Sequence, residues 1–129
     1  MTLDQLDLLL TQVQKPARYT AGEMGSVVKE LKPGMLRYAF CFPDLYEVGM
    51  SHLGMKILYG HANRRDDVWC ERVFSPDSDM QQVMEEMGVP LFALESLDPV
   101  KDFDLIGFTL QYEMCYTNIL NMLMVVFLK

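Results

Sequence analysis

Side chains capable of acid–base or ligand-binding chemistry are concentrated in two short segments, residues 43–54 and 111–115. His52 has the residue type of an axial metal ligand or a general base, although no acid stands at a fixed spacing from it. Glu47 and Glu113 would serve acid–base chemistry only if the fold brought them together, and two separate solvated carboxylates are the simpler expectation. The candidate cofactor-binding residues are Asp44, Tyr46, Glu47, Gly49, Ser51, His52, Gln111 and Tyr112.

The glycines in the first segment do not form a known phosphate-binding loop. Gly49 and Gly54 have the glycine spacing of a P-loop, but Met55 separates Gly54 from Lys56, and Ile57 stands where a hydroxyl should follow. A G-x-G-x-x-G dinucleotide turn is also absent from the sequence. We therefore expect these glycines to serve backbone geometry and close helix–sheet packing.

The three cysteines, Cys41, Cys70 and Cys115, lack the paired spacing of a metal site. Each lies in or beside an apolar segment, where a free thiol acts as a small hydrophobic side chain. No Ser-His-Asp or Cys-His arrangement can be assembled from the sequence either. We therefore predict neither a catalytic residue nor a metal ligand in this chain.

Composition excludes several classes of protein. Of the 129 residues, half are hydrophobic and 22% are charged, so disorder of the whole chain is excluded. The net charge of −7 argues against nucleic-acid binding. The N-terminal residues lack the basic region with which a secretion signal begins. The apolar run 119–128 is too short to cross a bilayer. We expect a cytoplasmic protein with reduced cysteines and no membrane partner.

Hydrophobic periodicity supplies the elements that must position the candidate residues. Helices are expected over residues 3–13, over 50–63, from Ser78 to a stop at Gly88, and on the closing segment. Each of the last three helices has residues that share one side. These are Met50, Leu53, Ile57 and His61 in the second helix, Met80, Val83, Met84 and Met87 in the third, and Tyr116, Ile119, Leu120, Leu123 and Phe127 in the last. Strands are expected over Leu36–Phe42, Val68–Phe74, 91–94 and 105–110.

This alternation predicts a partial Rossmann-like or flavodoxin-like α/β domain, with three layers and a mostly parallel sheet of about four strands. Residues 1–34 form an N-terminal helix and an irregular arm, with at most a short helical turn near 27–31, and residues 35–129 form the domain. Strand Leu36–Phe42 should lie between Val68–Phe74 and 105–110. Ligands of such sheets bind beyond the carboxyl ends of the strands where the strand order reverses, which is where the candidate residues meet.

Five segments are informative beyond the fold: residues 15–20, 37–59, 70–74, 104–113 and 116–123. The most extended of them contains Pro43-Asp44-Leu45-Tyr46-Glu47-Val48-Gly49-Met50-Ser51-His52-Leu53-Gly54. Together these segments closely resemble the N-terminal part of a family of largely uncharacterised bacterial radical SAM proteins. In that family a cobalamin-binding-like Rossmann domain precedes the radical SAM barrel. The resemblance runs from about residue 15 to residue 123.

The resemblance has two departures. The cluster motif C-x-x-x-C-x-x-C is absent, and residues 124–129 no longer resemble the family. The resemblance therefore implies a domain truncated before the barrel, with the iron–sulfur cluster and S-adenosylmethionine expected only in the missing part. Base-off cobalamin domains carry Asp-x-His-x-x-Gly, whereas Met50 precedes His52 by two places here and Gly54 follows too early. Because some cobalamin-dependent relatives lack that histidine, the resemblance still allows cobalamin.

Three functions follow from these observations. The leading hypothesis is a non-catalytic cobalamin-binding-like domain that serves substrate placement or domain docking. One alternative is a part of a radical SAM enzyme that uses S-adenosylmethionine and an iron–sulfur cluster, with cobalamin as an optional further cofactor. The other is a small flavodoxin-like ligand-binding domain. A flavodoxin-like receiver would need an acidic cluster that Asp44 alone does not supply. The expected partners are the radical SAM barrel and a second copy of the chain, which would cover the closing helix in a dimer.

Overall fold

Three parallel strands form the sheet at the centre of the computed structural model, which describes residues 1–128. The strands are β1 (Leu36–Phe42), β2 (Val68–Phe74) and β3 (Leu105–Phe108), in the order β2-β1-β3. Leu36 lies opposite Val68 in the register, and Tyr38 lies opposite Leu105. The predicted central position of β1 is confirmed. Lys129, the last residue of the predicted 35–129 unit, lies outside the described residues.

Helices cover both faces of this sheet. They are α1 (Leu3–Leu10), α2 (Tyr46–Met50), α3 (Leu53–Asn63), α4 (Ser78–Met87) and α5 (Cys115–Val126), with 3-10 helices at Pro16–Tyr19 and Val100–Asp102. One core joins α1, α4 and α5 to the face of β1 that carries Ala39 and Cys41, and a second core joins α3 to the face that carries Phe40 and Phe42. The predicted three-layer α/β class is therefore confirmed.

No helix formed by residues 1–128 has both the length and the apolar character needed to span a bilayer. This agrees with the shortness of the apolar run in the closing segment.

The predicted fourth strand, residues 91–94, is wrong. Its backbone N–H groups donate to three separate partners: that of Leu91 to Val125, that of Ala93 to Asp98 and that of Leu94 to Arg72. A strand needs one continuous neighbour, and this segment instead folds back in a turn. The sheet accordingly has three strands.

The predicted helix over residues 50–63 is two helices, and the side that carries Leu53 and Ile57 is not the buried one. The chain turns after Met50, and the His52 side chain caps the new helix α3 by accepting from the backbone N–H of Met55 at 3.1 Å. This break shifts the helical phase. Leu53 and Ile57 are consequently 69% and 60% exposed, whereas Met55 is buried together with Tyr59.

The stripe on the closing helix, for which we expected cover by a second copy, is largely exposed in the single chain. Residues of that stripe such as Tyr116, Leu120 and Phe127 are exposed, and α5 instead buries Met122 and Val125. The helix is apolar nearly all round its circumference. Periodicity therefore could not select the face that meets the sheet.

Helix-capping signals were more reliable. Thr2 and Gln5 form the predicted capping box, and Gly88 ends α4 in the left-handed conformation with a φ of 64°. The α4 N-cap is Asp77, whose carboxylate accepts from the backbone N–H of Ser78, so the predicted Ser78–Gln81 capping box is wrong. Strand β3 ends at Phe108, two residues earlier than predicted.

Two helical glycines allow a matched stability test. A Cβ at Gly49 would lie 2.1 Å from Cε1 of the buried Phe74 ring, whereas a Cβ at Gly60 would meet nothing within 4 Å. We expect Gly49→Ala to lower the free energy of unfolding by about 1–3 kcal/mol, because the packed core must move. We expect Gly60→Ala to raise it by about 0.5–1 kcal/mol through helix propensity. Urea unfolding measures both, and equal effects of the two substitutions would contradict the packing role of Gly49.

Candidate functional site

The loops after β1 and β3 meet at the carboxyl edge of the sheet, as the topology requires. Asp44 follows β1, and its carboxylate accepts from the backbone N–H of Leu45 at 2.8 Å. The hydroxyl of Tyr112, from the loop after β3, points at the second oxygen of that carboxylate over 3.5 Å. The charge of Asp44 raises the pKa of Tyr112. Asp44 and Tyr112 are thus neighbours, although their hydrogen bond is long.

Two other candidate residues turn away from this edge and toward the N-terminal arm. The hydroxyl of Tyr46 donates to the carboxylate of Glu23. Glu47 accepts from Nε of Arg18 at 2.8 Å. Within residues 1–128 no hydrogen bond or ion pair joins Glu47 to Glu113, so the structure does not assemble the pair of carboxylates considered from sequence.

The remaining polar candidates make local bonds. Ser51 donates from Oγ to a backbone carbonyl of α2 at 2.7 Å, and Gln111 accepts from Thr109 at 3.3 Å. His52 has its Nδ1 committed to capping α3, and its ring packs 5.5 Å from that of Phe42. Binding of a ligand by these residues stays a prediction.

The most elaborate polar arrangement in the described chain surrounds Arg72, which the sequence did not single out. The side chain of Arg72 is 6% exposed. Its Nε donates to Glu95 at 2.6 Å, and one terminal nitrogen donates to Glu23 and to Ser26, each at 2.9 Å. Tyr59 donates to Glu95 at 2.9 Å. We call these five residues the Arg72 cluster.

Electrostatics keep this cluster charged. Burial disfavours the guanidinium of Arg72, but the adjacent charges of Glu95 and Glu23 outweigh burial and hold its pKa above the ordinary value. Burial likewise raises the pKa of Glu23, but hydrogen bonds from Arg72 and its neighbours prevail and lower that pKa to about 2. Arg72 therefore has two carboxylates that compensate its buried charge.

A second ion pair between an arginine and a buried carboxylate lies on the opposite face of the sheet. Arg37 donates to Glu71 at 2.7 Å and to Asp98 at 2.9 Å. Its guanidinium carbon lies 4.2 Å from the ring centre of Phe103. Burial raises the pKa of Glu71, which has no exposed side-chain surface. This pair fixes the turn over residues 96–98 against the sheet and borders no cavity with the Arg72 cluster.

The Arg72 cluster attaches the N-terminal arm, residues 15–34, to the face covered by α3. The arm is irregular, as predicted, but its helical turn lies at Pro16–Tyr19 rather than near 27–31. Val27 is held at its N–H by Tyr59 and at its carbonyl by the indole N–H of Trp69. The ammonium of Lys29 donates to three backbone carbonyls, at the last residue of α3, two residues beyond it and at the first residue of β2. The arm is therefore an integral layer of this face.

A cavity of about 250 Å³ lies beside the cluster, between the arm and α3. Arg72 forms part of its wall, together with Met24 and Gly25 from the arm and with Met55 and Gly60 from α3. This cavity lies at the outer strand β2 and not at the reversal of strand order between β1 and β3. It was therefore missed by an approach based on topology alone.

A sequence signal for this site existed. Glu71 and Arg72 are adjacent charged residues within the otherwise apolar run of β2, which is buried along its whole length. Charged residues in a fully buried strand must be paired. Their partners, Glu23 and Glu95, lie in irregular segments far along the chain, and no local pattern identifies them.

Comparison with known families shows where this domain belongs. The family described as radical SAM proteins, N-terminal, matches residues 54–128. The chain belongs to this radical SAM N-terminal family. The match includes residues 124–128, so the expectation that the resemblance ends at residue 123 is wrong. It begins at Gly54, inside the segment 37–59 of the resemblance. No curated protein and no solved structure matches the chain.

The three thiols and His52 are the side chains of this radical SAM N-terminal domain that could hold an iron–sulfur cluster or cobalt. Cys41, Cys70 and Cys115 are all buried, and burial raises the pKa of Cys70 to about 12, so these thiols do not suit an iron–sulfur cluster. His52 caps α3 and has no carboxylate partner in the described part of the chain, so it does not suit cobalt ligation. The thiols therefore do not fit a cluster, and His52 does not fit a cobalt ligand.

The low pKa of Glu23 makes attachment of the arm pH-dependent. The pKa of the Glu23 carboxylate is lowered from an ordinary value of 4.5 to about 2. The stabilisation that the ionised carboxylate gives to the folded state is therefore complete above about pH 4.5 and is lost as the pH falls toward 2. We expect a loss of roughly 3 kcal/mol over that window and a flatter pH dependence in Glu23→Gln. Urea unfolding between about pH 6 and pH 2.5 measures this.

The matched control is Glu30→Gln, which removes an exposed carboxylate of the same arm. It should keep the wild-type pH dependence. Parallel curves for wild type and Glu23→Gln would show that the ion pair with Arg72 does not stabilise the folded arm.

Proposed function

We propose that this chain is a non-catalytic N-terminal domain of a radical SAM protein and that it docks against the radical SAM barrel, where it helps to place substrate. The family membership supports the first part, because the match covers residues 54–128. The observation that carries the docking role is an exposed apolar stripe along α5. The cluster and S-adenosylmethionine would then belong to the barrel, since the sequence lacks C-x-x-x-C-x-x-C.

The stripe consists of four side chains at helical spacing. Tyr116, Leu120, Met124 and Phe127 are 55%, 63%, 72% and 65% exposed. No charged residue occurs anywhere in α5. A contiguous apolar surface of several hundred Å² on a water-soluble domain usually marks an interaction site.

The unpaired outer edge of β3 also supports the docking role. Among the described strands, β3 pairs only with β1, so its outer edge keeps backbone groups that a partner can satisfy. Leu105 and Leu110, at the two ends of this region, are each about half exposed. By contrast, the outer edge of β2 bonds to the side chains of Asn63 and Glu95. The open side of the domain is therefore the side of β3 and α5.

Docking on this side would also give the carboxyl edge a role. The loop with Tyr112 leads directly into α5, and Asn118 of α5 donates to the carbonyl of Pro43 at 2.9 Å. A partner on the stripe would consequently lie next to Asp44 and Tyr112. These two residues would face a ligand shared with the partner rather than a ligand held by this domain alone.

The non-catalytic assignment predicts that the purified chain retains no iron–sulfur cluster. Its three thiols are buried, and burial raises the pKa of Cys41 and of Cys70. After anaerobic reconstitution with iron and sulfide and removal of excess reagents, we expect no visible absorbance of a cluster and no stoichiometric iron. Stoichiometric iron that disappears in Cys41→Ala, Cys70→Ala or Cys115→Ala would contradict the assignment.

The docking surface predicts self-association when no other partner is present. A second copy is the simplest cover for an apolar stripe, and a twofold dimer is the commonest arrangement. We expect light scattering of the purified chain to show a mass that rises with concentration and Leu120→Glu to keep the 14.9 kDa monomer. The side chain at position 120 is exposed in the monomer, so the substitution should preserve folding.

The control variant is Leu58→Glu on α3, because Leu58 is also exposed but lies on the other face of the sheet. It should associate like the wild type. A wild-type chain that stays monomeric at high concentration, or equal dissociation by both variants, would overturn α5 as the interface.

A further inference from the structure

The backbone groups at the outer edge of β2 already have partners. The side chain of Asn63 bonds both the N–H and the carbonyl of Cys70, each at 2.9 Å. The N–H of Arg72 donates to Glu95 at 2.8 Å, and the carbonyl of Arg72 accepts from the N–H of Leu94 at 2.9 Å. Because a further strand would need these same groups, the β2 edge is closed to strand pairing.

The backbone groups at the outer edge of β3 are open. The N–H of Thr109 donates inward to the carbonyl of Cys41 at 3.1 Å. Because backbone groups alternate in direction along a strand, those of Gly107 also face β1, whereas those of Ile106 and Phe108 face outward. No other part of residues 1–128 bonds these outward groups. Two donors and two acceptors are thus left for a partner.

The sequence of this edge favours pairing with another strand. Residues 105–110 read Leu-Ile-Gly-Phe-Thr-Leu, with no charged residue and no proline. Natural sheet edges usually carry such residues where pairing with another chain must be prevented. A row of outward N–H and C=O groups is matched by an extended strand, which presents its own groups at the same spacing. The chemistry of the edge therefore selects a strand as its occupant.

The closed edge of β2 restricts how two copies of the chain can pair. Addition of β3 to the β2 of a second copy would be head-to-tail and would continue without limit. That arrangement is blocked, because the outward groups of β2 are bonded to Asn63, Glu95 and Leu94. Addition of β3 to the β3 of a second copy uses the open edge of each and closes at a dimer. A twofold axis perpendicular to the sheet makes these two strands antiparallel.

The same axis would cover the exposed stripe of α5. This helix lies on the face of β3 that carries Ile106 and Phe108, because these side chains pack against the core that contains Met122. An axis perpendicular to the sheet keeps both copies of α5 on one side of the joined sheet. Their stripes then face each other across the axis. A single arrangement thus satisfies the open backbone edge and buries the apolar helix surface.

We propose that two copies of this chain pair antiparallel through β3 and join their two three-stranded sheets into one continuous sheet. The stripes of the two α5 helices pack together above the junction. The proposal rests on the proposed function, because it uses the same open side of the domain. It adds that docking on this side is strand pairing and that assembly stops at two copies.

Amide hydrogen exchange of the full chain, ¹⁵N-labelled, tests the pairing. Concentrated wild type is compared with Leu120→Glu, which we expect to be monomeric. The amides of Ile106 and Phe108 should exchange about tenfold or more slowly in the associated wild type, because pairing bonds them. The amides of Met24 and Gly34 in the arm donate to no described residue and should exchange equally in both proteins.

A proline variant provides an independent measurement. Ile106→Pro removes one outward N–H and leaves the bonds of β3 to β1 in place, since proline is tolerated where the N–H of an edge strand faces solvent. By light scattering, this variant should keep the 14.9 kDa of the monomer where the wild type reaches twice that mass. If the variant does not fold, the exchange comparison decides alone.

The outcomes separate this proposal from the docking role. Association that Leu120→Glu abolishes, without slower exchange at Ile106 and Phe108, overturns strand pairing and leaves the α5 stripe as the interface. A mass that grows beyond two copies overturns the twofold arrangement. A wild-type chain that stays monomeric at high concentration overturns both strand pairing and α5 as the interface.

Discussion

The buried guanidinium of Arg72 is the interaction on which the arrangement of this domain depends. A buried arginine is tolerated only where its charge and its donors are compensated, since removing one partner of such a pair typically costs about 3–5 kcal/mol. Here the compensation comes from Glu95, in the turn before β3, and from Glu23, in the N-terminal arm. One side chain of β2 thus fixes two irregular segments that have no regular secondary structure to hold them.

This constraint explains the asymmetry of the sheet. Because Glu95 also accepts from the backbone N–H of Arg72 at 2.8 Å, the cluster closes the outer edge of β2. Asn63 extends that closure by bonding both backbone groups of Cys70. Nothing comparable covers β3 within residues 1–128. The domain consequently has one edge sealed by side chains and one edge available to a partner, and the apolar stripe of α5 lies on the available side.

Sequence patterns predicted the sheet well because β1 and β2 are short and largely apolar segments. The bounds of Leu36–Phe42 and Val68–Phe74 and their pairing order are confirmed. Faces of helices were harder to predict, because α5 is apolar all round and because the cap at His52 shifts the phase of α3. Buried ion pairs were hardest, since Arg72 and Glu23 are 49 residues apart and no local pattern links them.

Topology and side-chain chemistry therefore identify different places on the same sheet. The reversal of strand order puts Asp44 and Tyr112 together at the carboxyl edge, but their contact is long and open to solvent. The cavity of about 250 Å³ forms instead where the arm is bonded to β2. An open edge with loosely placed polar groups suits a site that is completed by a partner, whereas the buried ion pairs beside the cavity hold the arm in place. Because β1 separates the two outer strands, a partner on the side of β3 and α5 would not displace the arm, and the docking side and the Arg72 cluster can each be tested by substitutions that leave the other unchanged.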